Sequence, residues 1–163
     1  MREPGQLNRL LADEPATRRE GAALARALVA SGADGAFITL AGELGAGKTT
    51  LARGALEALG VTGPVRSPTY TLVETYPVGE ARLHHLDWYR LAGGGDLEGL
   101  GFRDLQGPGQ WLLVEWPERV PAVAATADLA IGLAYEGDGR RLTVDPLTSA
   151  GAAILARWMA YAA

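Results

Sequence analysis

Cysteine is absent from the 163-residue chain, which excludes disulfides, thiolate nucleophiles and cysteine metal sites. Long apolar runs are absent too, since none approaches the ~20 residues that a membrane helix needs, and the N-terminus shows no secretory signal pattern. Positive charge is not in excess, because 15 Lys and Arg stand against 19 Asp and Glu. This balance argues against binding nucleic acid by bulk charge. We therefore expect a cytoplasmic protein without membrane contact.

Lysine is nearly absent as well. Of the 15 basic residues, 14 are arginines and the remaining one is Lys48. A lysine kept in such an arginine-rich chain indicates a site that needs a flexible stem and a compact ammonium. Mutational drift is the alternative, and the neighbouring residues must decide between the two.

Hydrophobic periodicity predicts one mixed α/β domain over residues 1–163, a length typical of a single domain. Helices are predicted at 17–30 with Thr17 as N-cap, at 48–59 before Gly60, at 152–162 after a cap at Ser149, and as a short turn after Asp96. Strands are predicted at 36–40 and 111–114. A first hairpin is predicted from a segment up to residue 76, whose residue types alternate with a period of two, and its partner strand 81–86. A second hairpin is predicted over 129–144, with its turn at 137–139.

A glycine-rich loop at residues 42–49, GELGAGKT, matches the Walker A pattern G-x-x-x-x-G-K-[ST] at every fixed position. A buried strand precedes it and a helix follows, which is the context that the pattern requires. Glycines let successive backbone N–H groups face phosphate oxygens, and the helix N-terminus adds partial positive charge. Lys48 can reach the β- and γ-phosphates, and the Thr49 hydroxyl can ligate Mg²⁺. The loop therefore predicts a nucleoside triphosphate site.

Acidic residues at strand ends are the candidates for the carboxylate that would meet Mg²⁺ at a nucleoside triphosphate site. Glu115 follows the apolar run 111–114, and Asp87 follows the more polar run 83–86. Either carboxylate could meet Mg²⁺ on the phosphates, and either could be an ordinary solvated acid. His84 and His85 are adjacent on a strand and point to opposite faces, so they make a poor metal pair. One of them is expected to be a packed or hydrogen-bonded residue rather than a catalytic base.

The polar segment at residues 67–71, SPTYT, carries hydroxyls that could meet Mg²⁺ or the γ-phosphate, as switch segments do. The segment fits equally well as the start of a β-strand, with Pro68 fixing the turn that precedes it. Trp88, Tyr89 and Trp116 lie beside the acids and fit either the core or a partner surface.

The base of the nucleotide can be inferred from a missing motif. GTPases read guanine through N-K-x-D, and the one lysine of this chain is already in the loop. ATP is therefore the better candidate.

Four motifs in order resemble the TsaE family, formerly YjeE: GELGAGKTT at 42–50, SPTYTLVETY at 67–76, HLDWYRL at 85–91 and LVEWP at 113–117. The resemblance runs from about Asp13 to Arg140. It implies a P-loop NTPase domain, α/β, with a mixed, largely parallel sheet flanked by helices. It also implies a weak Mg²⁺-dependent ATPase that resets a complex of TsaB and TsaD during threonylcarbamoyladenosine formation on tRNA, with the tRNA contacted mainly through those partners. Self-association stays open.

The resemblance also assigns residues to roles. Lys48, Asp87 and Glu115 are the expected catalytic group, and Thr49, Glu115 and Asp87 the expected metal ligands. Residues expected to line ATP are Glu14, Gly42, Glu43, Leu44, Gly45, Ala46, Gly47, Lys48, Thr49, Thr50, Thr69, Thr71, Trp116 and Arg140.

Two other functions fit parts of the sequence. A small-molecule kinase of the shikimate-kinase type suits the length and has a glycine-rich acceptor loop like residues 93–95. Such kinases usually begin with the P-loop, whereas some forty residues precede it here, and no arginine-rich lid is apparent. A nucleotide-binding module that never hydrolyses is the third interpretation.

Overall fold

The computed structural model describes residues 5–65, 68 and 71–161. The strands are β1 Leu7–Leu11, β2 Gly35–Gly42, β3 Val73–Val78, β4 Ala81–Asp87, β5 Gln110–Glu115, β6 Leu129–Glu136 and β7 Gly139–Pro146. The helices are α1 Glu14–Ala30, α2 Lys48–Ala58, α3 Gly94–Gly99, α4 Pro121–Ala124 and α5 Ser149–Tyr161, with short 3-10 helices at Phe102–Leu105 and Pro117–Arg119.

One sheet of seven strands runs in the order β1-β7-β6-β2-β5-β4-β3. Its centre is parallel, because β2 pairs with both β5 and β6 and β4 pairs with β5 in the same direction. The antiparallel pairs β1/β7, β6/β7 and β3/β4 lie towards the edges. The carboxyl ends of β2, β4 and β5 therefore meet at one edge, where ligands bind in open α/β sheets. The expected mixed α/β architecture flanked by helices is confirmed.

Apolar side chains cover both faces of the sheet. On one face α1, α2 and α5 pack with Leu24, Leu51 and Trp158 against inward residues of the central strands. The other face holds an aromatic cluster in which Phe37, Trp88 and Phe102 meet edge to face. Parallel strands buried on both faces explain the short continuous apolar runs of β2 and β5.

The helix that follows the glycine loop lies unusually close to α1. A Cβ built on Gly21 of α1 would lie 2.1 Å from the carbonyl oxygen of Leu51 in α2, and one on Gly54 would lie 2.2 Å from that of Arg18. Glycine at both positions lets the two backbones touch, which fixes the direction of α2.

Replacing Gly21 with alanine is expected to lower the free energy of unfolding by about 1–3 kcal/mol, because the added methyl group must push two helix backbones apart. Chemical denaturation measures the loss. Gly95→Ala is the matched control, since nothing lies within 4 Å of a Cβ built there. Equal stability of the two variants would contradict the close contact.

Two predicted helix caps were wrong. The side chain of Asp13, not Thr17, caps α1 by accepting from the Ala16 N–H at 2.9 Å, and Thr17 is buried inside the helix. At α5 the Thr148 hydroxyl accepts from the Gly151 N–H at 3.0 Å, so Ser149 is already helical. Both helices accordingly begin three residues earlier than predicted.

Strand boundaries also differ from the predicted ones. β1 was not predicted, because its edge position leaves no clean alternation of buried and exposed residues. The first hairpin begins only at Val73 and turns at Gly79 and Glu80. In the part of the chain that the structure describes, no helix is both long and apolar enough to cross a membrane.

Candidate active site

The glycine-rich loop joins the carboxyl end of β2 to the start of α2. Gly47 takes a left-handed conformation, with φ of 110°, directly before the first helical residue, Lys48. A side chain there would be strained, which explains glycine at the last loop position. Since four N–H groups at the start of a helix lack partners within it, α2 presents donors and partial positive charge to the loop.

Lys48 folds back into this loop. Its Nζ donates to the carbonyl oxygen of Gly42 and, at 3.4 Å, to that of Glu43, and it lies 3.7 Å from the ring centre of Trp116. The residue is 5 % exposed. Burial lowers the pKa of the Lys48 amine, while the nearby carboxylates of Glu115, Glu118 and Asp87 act in the opposite direction. The amine of the chain's one lysine thus lies inside the glycine-rich loop.

The two candidate acids lie side by side at the carboxyl ends of the neighbouring strands β4 and β5. Asp87 pairs in register with Glu115, and Glu115 with Leu40, so both carboxylates lie next to the start of the loop. Thr49 donates to the two carboxylate oxygens of Glu115 at 3.2 and 3.3 Å. Asp87 accepts from the Tyr89 N–H at 2.8 Å. The structure therefore brings Lys48, Thr49, Asp87 and Glu115 together around one cleft.

A cleft of about 310 Å³ opens over these residues. Trp116, with φ of 61°, forms one wall and contacts Tyr89, their ring centres 4.9 Å apart. Trp88 instead points into the aromatic core on the other face of the sheet. Leu44, at the tip of the loop, is 83 % exposed. The residues that line the cleft are Leu44, Gly45, Gly47, Lys48, Thr49, Thr50, Asp87, Tyr89, Glu115 and Trp116.

A second, smaller cleft of about 150 Å³ lies on the other side of the loop. It brings Glu14, Thr50 and Arg140 together, three residues expected near the nucleotide. The guanidinium of Arg140 lies 4.1 Å from the ring centre of Tyr135 and donates to the carbonyl oxygen of Gly45 at 3.4 Å. The β6–β7 hairpin thus contacts the loop directly.

The predicted switch segment is described only in part. Ser67 and Thr69 lie outside the described residues. Thr71 donates to the Glu74 carboxylate at 3.0 Å and lines neither of the two clefts. Leu72, with φ of 68°, accepts from the Asp87 N–H at 3.2 Å. The chain that follows this segment is therefore bonded to the strand end that carries Asp87.

Sequence reasoning missed Tyr135 and the role of His85. Tyr135 donates to the Leu44 carbonyl oxygen at 2.7 Å. It lies near the exposed end of β6, and no motif in the sequence distinguishes it. His85 Nε2 lies 2.6 Å from Glu115 Oε2, whereas His84 bonds Thr75 and Gln110 on the other face. The opposite orientation of the two histidines was predicted correctly, and only the spacing of His85 from Asp87, two residues on the same strand face, pointed towards the site.

Comparisons with known proteins point to one family. The family profile described as "Threonylcarbamoyl adenosine biosynthesis protein TsaE" matches residues 11–143. The chain is similar to the tRNA threonylcarbamoyladenosine biosynthesis protein TsaE of Haemophilus influenzae, with 40 % identity over 73 % of this chain and 75 % of that one. To the protein of the same name in Bacillus subtilis it is 37 % identical, over 75 % and 76 %.

The fold is similar to a solved structure as well. The crystal structure of YdiB from Bacillus subtilis superimposes with a TM-score of 0.71 and 28 % identity, and the match covers 95 % of both chains. The ordered motifs, the matched length and the shared architecture agree, and the chain belongs to the TsaE family.

Proposed function

We propose that this chain is an ATP-binding and ATP-hydrolysing subunit required to form N6-threonylcarbamoyladenosine at position 37 of tRNAs that read ANN codons. In this proposal it acts as a switch or reset on a complex of TsaB and TsaD. The observation that carries the proposal is the grouping of Lys48, Thr49 and Glu115 at the mouth of one cleft. Membership of the TsaE family supports it.

The loop supplies what phosphoryl transfer to water needs. Its backbone donors and the N-terminus of α2 bind phosphate oxygens, and the Lys48 ammonium offsets the negative charge that builds up as the γ-phosphate leaves. Asp87, the other buried carboxylate at this cleft, would act near the attacking water. Trp116 covers the ammonium and keeps bulk water away from it.

The oxygen donors at the cleft suit magnesium. The Thr49 hydroxyl and the Glu115 and Asp87 carboxylates are hard ligands, the kind that Mg²⁺ takes together with nucleotide phosphates. When bound, Mg²⁺ would neutralise charge on the β- and γ-phosphate oxygens. Thr49 and Glu115 are already in contact with each other, and they are the leading candidates for its protein ligands.

The rest of the nucleotide would extend past the loop to the smaller cleft. Glu14, Thr50 and Arg140 converge there and offer polar contacts to an adenosine. The one lysine is used in the loop, so the guanine motif N-K-x-D has no counterpart, which favours ATP.

Exposed apolar side chains at the cleft support a partner that docks beside the nucleotide. Leu44 and Tyr89 are both exposed and both line the cleft. The chain has a net charge of −4, so we expect the partner proteins to make most contacts with tRNA.

Calorimetry with ATP or GTP, each with and without Mg²⁺, tests the nucleotide site. We expect heat of binding with ATP and Mg²⁺. Turnover is then measured with the chain alone and with TsaB and TsaD added, and we expect slow hydrolysis alone and a changed rate in the complex. Absence of binding in every condition, or failure to associate with the partners in any nucleotide state, would overturn the proposal.

Replacing Thr49 with alanine is expected to raise the Mg²⁺ concentration for half-maximal turnover by about tenfold or more. Removing even a residue that only hydrogen-bonds to a metal ligand commonly lowers metal affinity by about tenfold or more. A magnesium titration at saturating ATP measures the effect. Thr49→Ser, which keeps the hydroxyl, is the matched control. An unchanged magnesium requirement in the alanine variant would remove Thr49 from the metal site.

A further inference from the structure

His85 is a buried histidine whose side chain reaches the candidate active site. It is 0 % exposed, and its Nε2 lies 2.6 Å from Oε2 of Glu115. His85 and Asp87 lie two residues apart on β4 and so share one face of the sheet. Among the described residues, the shortest side-chain hydrogen bond of Glu115 is therefore the one with His85, a residue that has no role in the Walker A pattern.

The direction of this bond follows from its chemistry. A carboxylate only accepts, so the Nε2 of His85 carries the hydrogen and donates. Among the described residues, the other ring nitrogen, Nδ1, has no hydrogen-bond partner. The contact with Glu115 is therefore the one hydrogen bond of the His85 ring within the described part of the chain.

We propose that His85 is a positioning residue that fixes the Glu115 carboxylate for Mg²⁺. The bond to Oε2 sets the rotation of the carboxylate, whose oxygens Oε1 and Oε2 lie 3.3 and 3.2 Å from the hydroxyl of Thr49, another residue expected to hold the metal. Oε1 has no contact with His85 and is left for the metal. Carboxylate ligands are commonly oriented by hydrogen bonds from a second layer of residues. This inference rests on the proposed function, since it assumes that Mg²⁺ binds beside the loop.

The test measures metal affinity directly. Mn²⁺, used in place of Mg²⁺, is titrated into the chain with a non-hydrolysable ATP analogue and followed by electron paramagnetic resonance. His85→Leu removes the donor, His85→Asn places an amide too short to reach Glu115, and His85→Gln places one at the Nε2 position. His84→Leu is the matched control, because His84 is also buried, at 3 % exposed, but bonds Thr75 and Gln110 on the opposite face.

We expect the Mn²⁺ dissociation constant to rise about tenfold or more in His85→Leu and His85→Asn. It should return most of the way to the wild-type value in His85→Gln and stay unchanged in His84→Leu. Affinity for the analogue without metal should be unaffected in all four. If His85→Leu does not fold, as judged by circular dichroism, the asparagine and glutamine variants carry the comparison.

Unchanged Mn²⁺ affinity in the asparagine variant, or an equal loss with His84→Leu, would overturn the positioning role and leave the proposed function intact. Failure of the wild-type chain to bind the analogue at all would instead overturn the proposed function, and this inference with it.

Discussion

Replacing Lys48 with alanine is expected to lower the rate of ATP turnover by about 100- to 1000-fold, the loss typical of removing one donor that stabilises transition-state charge. The chain has no second lysine that could take over, and the ammonium already lies inside the loop against the Gly42 and Glu43 carbonyl oxygens. Release of phosphate from ATP, measured with the TsaB–TsaD complex present, is the readout.

Arginine at this position is not expected to restore turnover. A planar guanidinium is larger than an ammonium and would have to fit a site that is 5 % exposed and covered by the Trp116 ring at 3.7 Å. Arg103→Ala is the control for loss of one positive charge, because Arg103 is exposed on a short 3-10 helix and lines neither cleft. A near-native rate in Lys48→Ala, with Arg103→Ala also near native, would exclude the lysine from the reaction.

Replacing Glu115 with glutamine is expected to lower Mg²⁺-dependent turnover by about 100-fold or more. The change keeps the shape of the side chain and its ability to accept from His85, but it removes the negative charge that faces the metal. Correctly placed metal ions contribute several kcal/mol to charge stabilisation, and each ~1.4 kcal/mol corresponds to tenfold in rate. Turnover is measured over a range of Mg²⁺ concentrations.

The comparison variant for Glu115 is Asp87→Asn. Asp87 lies beside Glu115 in register but bonds the Tyr89 N–H rather than Thr49. We expect its loss to reduce the rate at saturating Mg²⁺, whereas excess Mg²⁺ should recover part of the rate of Glu115→Gln. Normal turnover and a normal Mg²⁺ requirement in Glu115→Gln would show that this carboxylate does not serve the metal.

The parts of the site that could be predicted are those with a fixed spacing along the chain. The Walker A pattern fixes Lys48 and Thr49 by their offsets from Gly42, and a strand followed by a helix was evident on either side. Glu115 ends an apolar run and Asp87 ends a more polar one, which makes both of them candidate acids at strand ends. These inferences need only local pattern.

The parts that could not be predicted depend on contacts between distant segments. Tyr135 reaches the Leu44 carbonyl oxygen only because β6 lies beside β2, and periodicity does not fix strand order. The N-cap at Asp13 was missed because Thr17 and Glu20 mimic a capping box, yet Glu20 is buried and instead accepts from Arg9 and from the Trp158 indole. β1 is held by pairing with β7, more than a hundred residues away.

The buried amine of Lys48, the one lysine of the chain, can serve as a native chemical reporter. Apart from the α-amino group, amine-directed acylating reagents have one target here, so the labelling rate read by mass spectrometry reports on the surroundings of Lys48. Occupation of the loop by a triphosphate would change that rate, and no introduced probe is needed to detect the change. The accessibility of the Lys48 amine can therefore be followed in the unmodified protein, with or without added partner proteins.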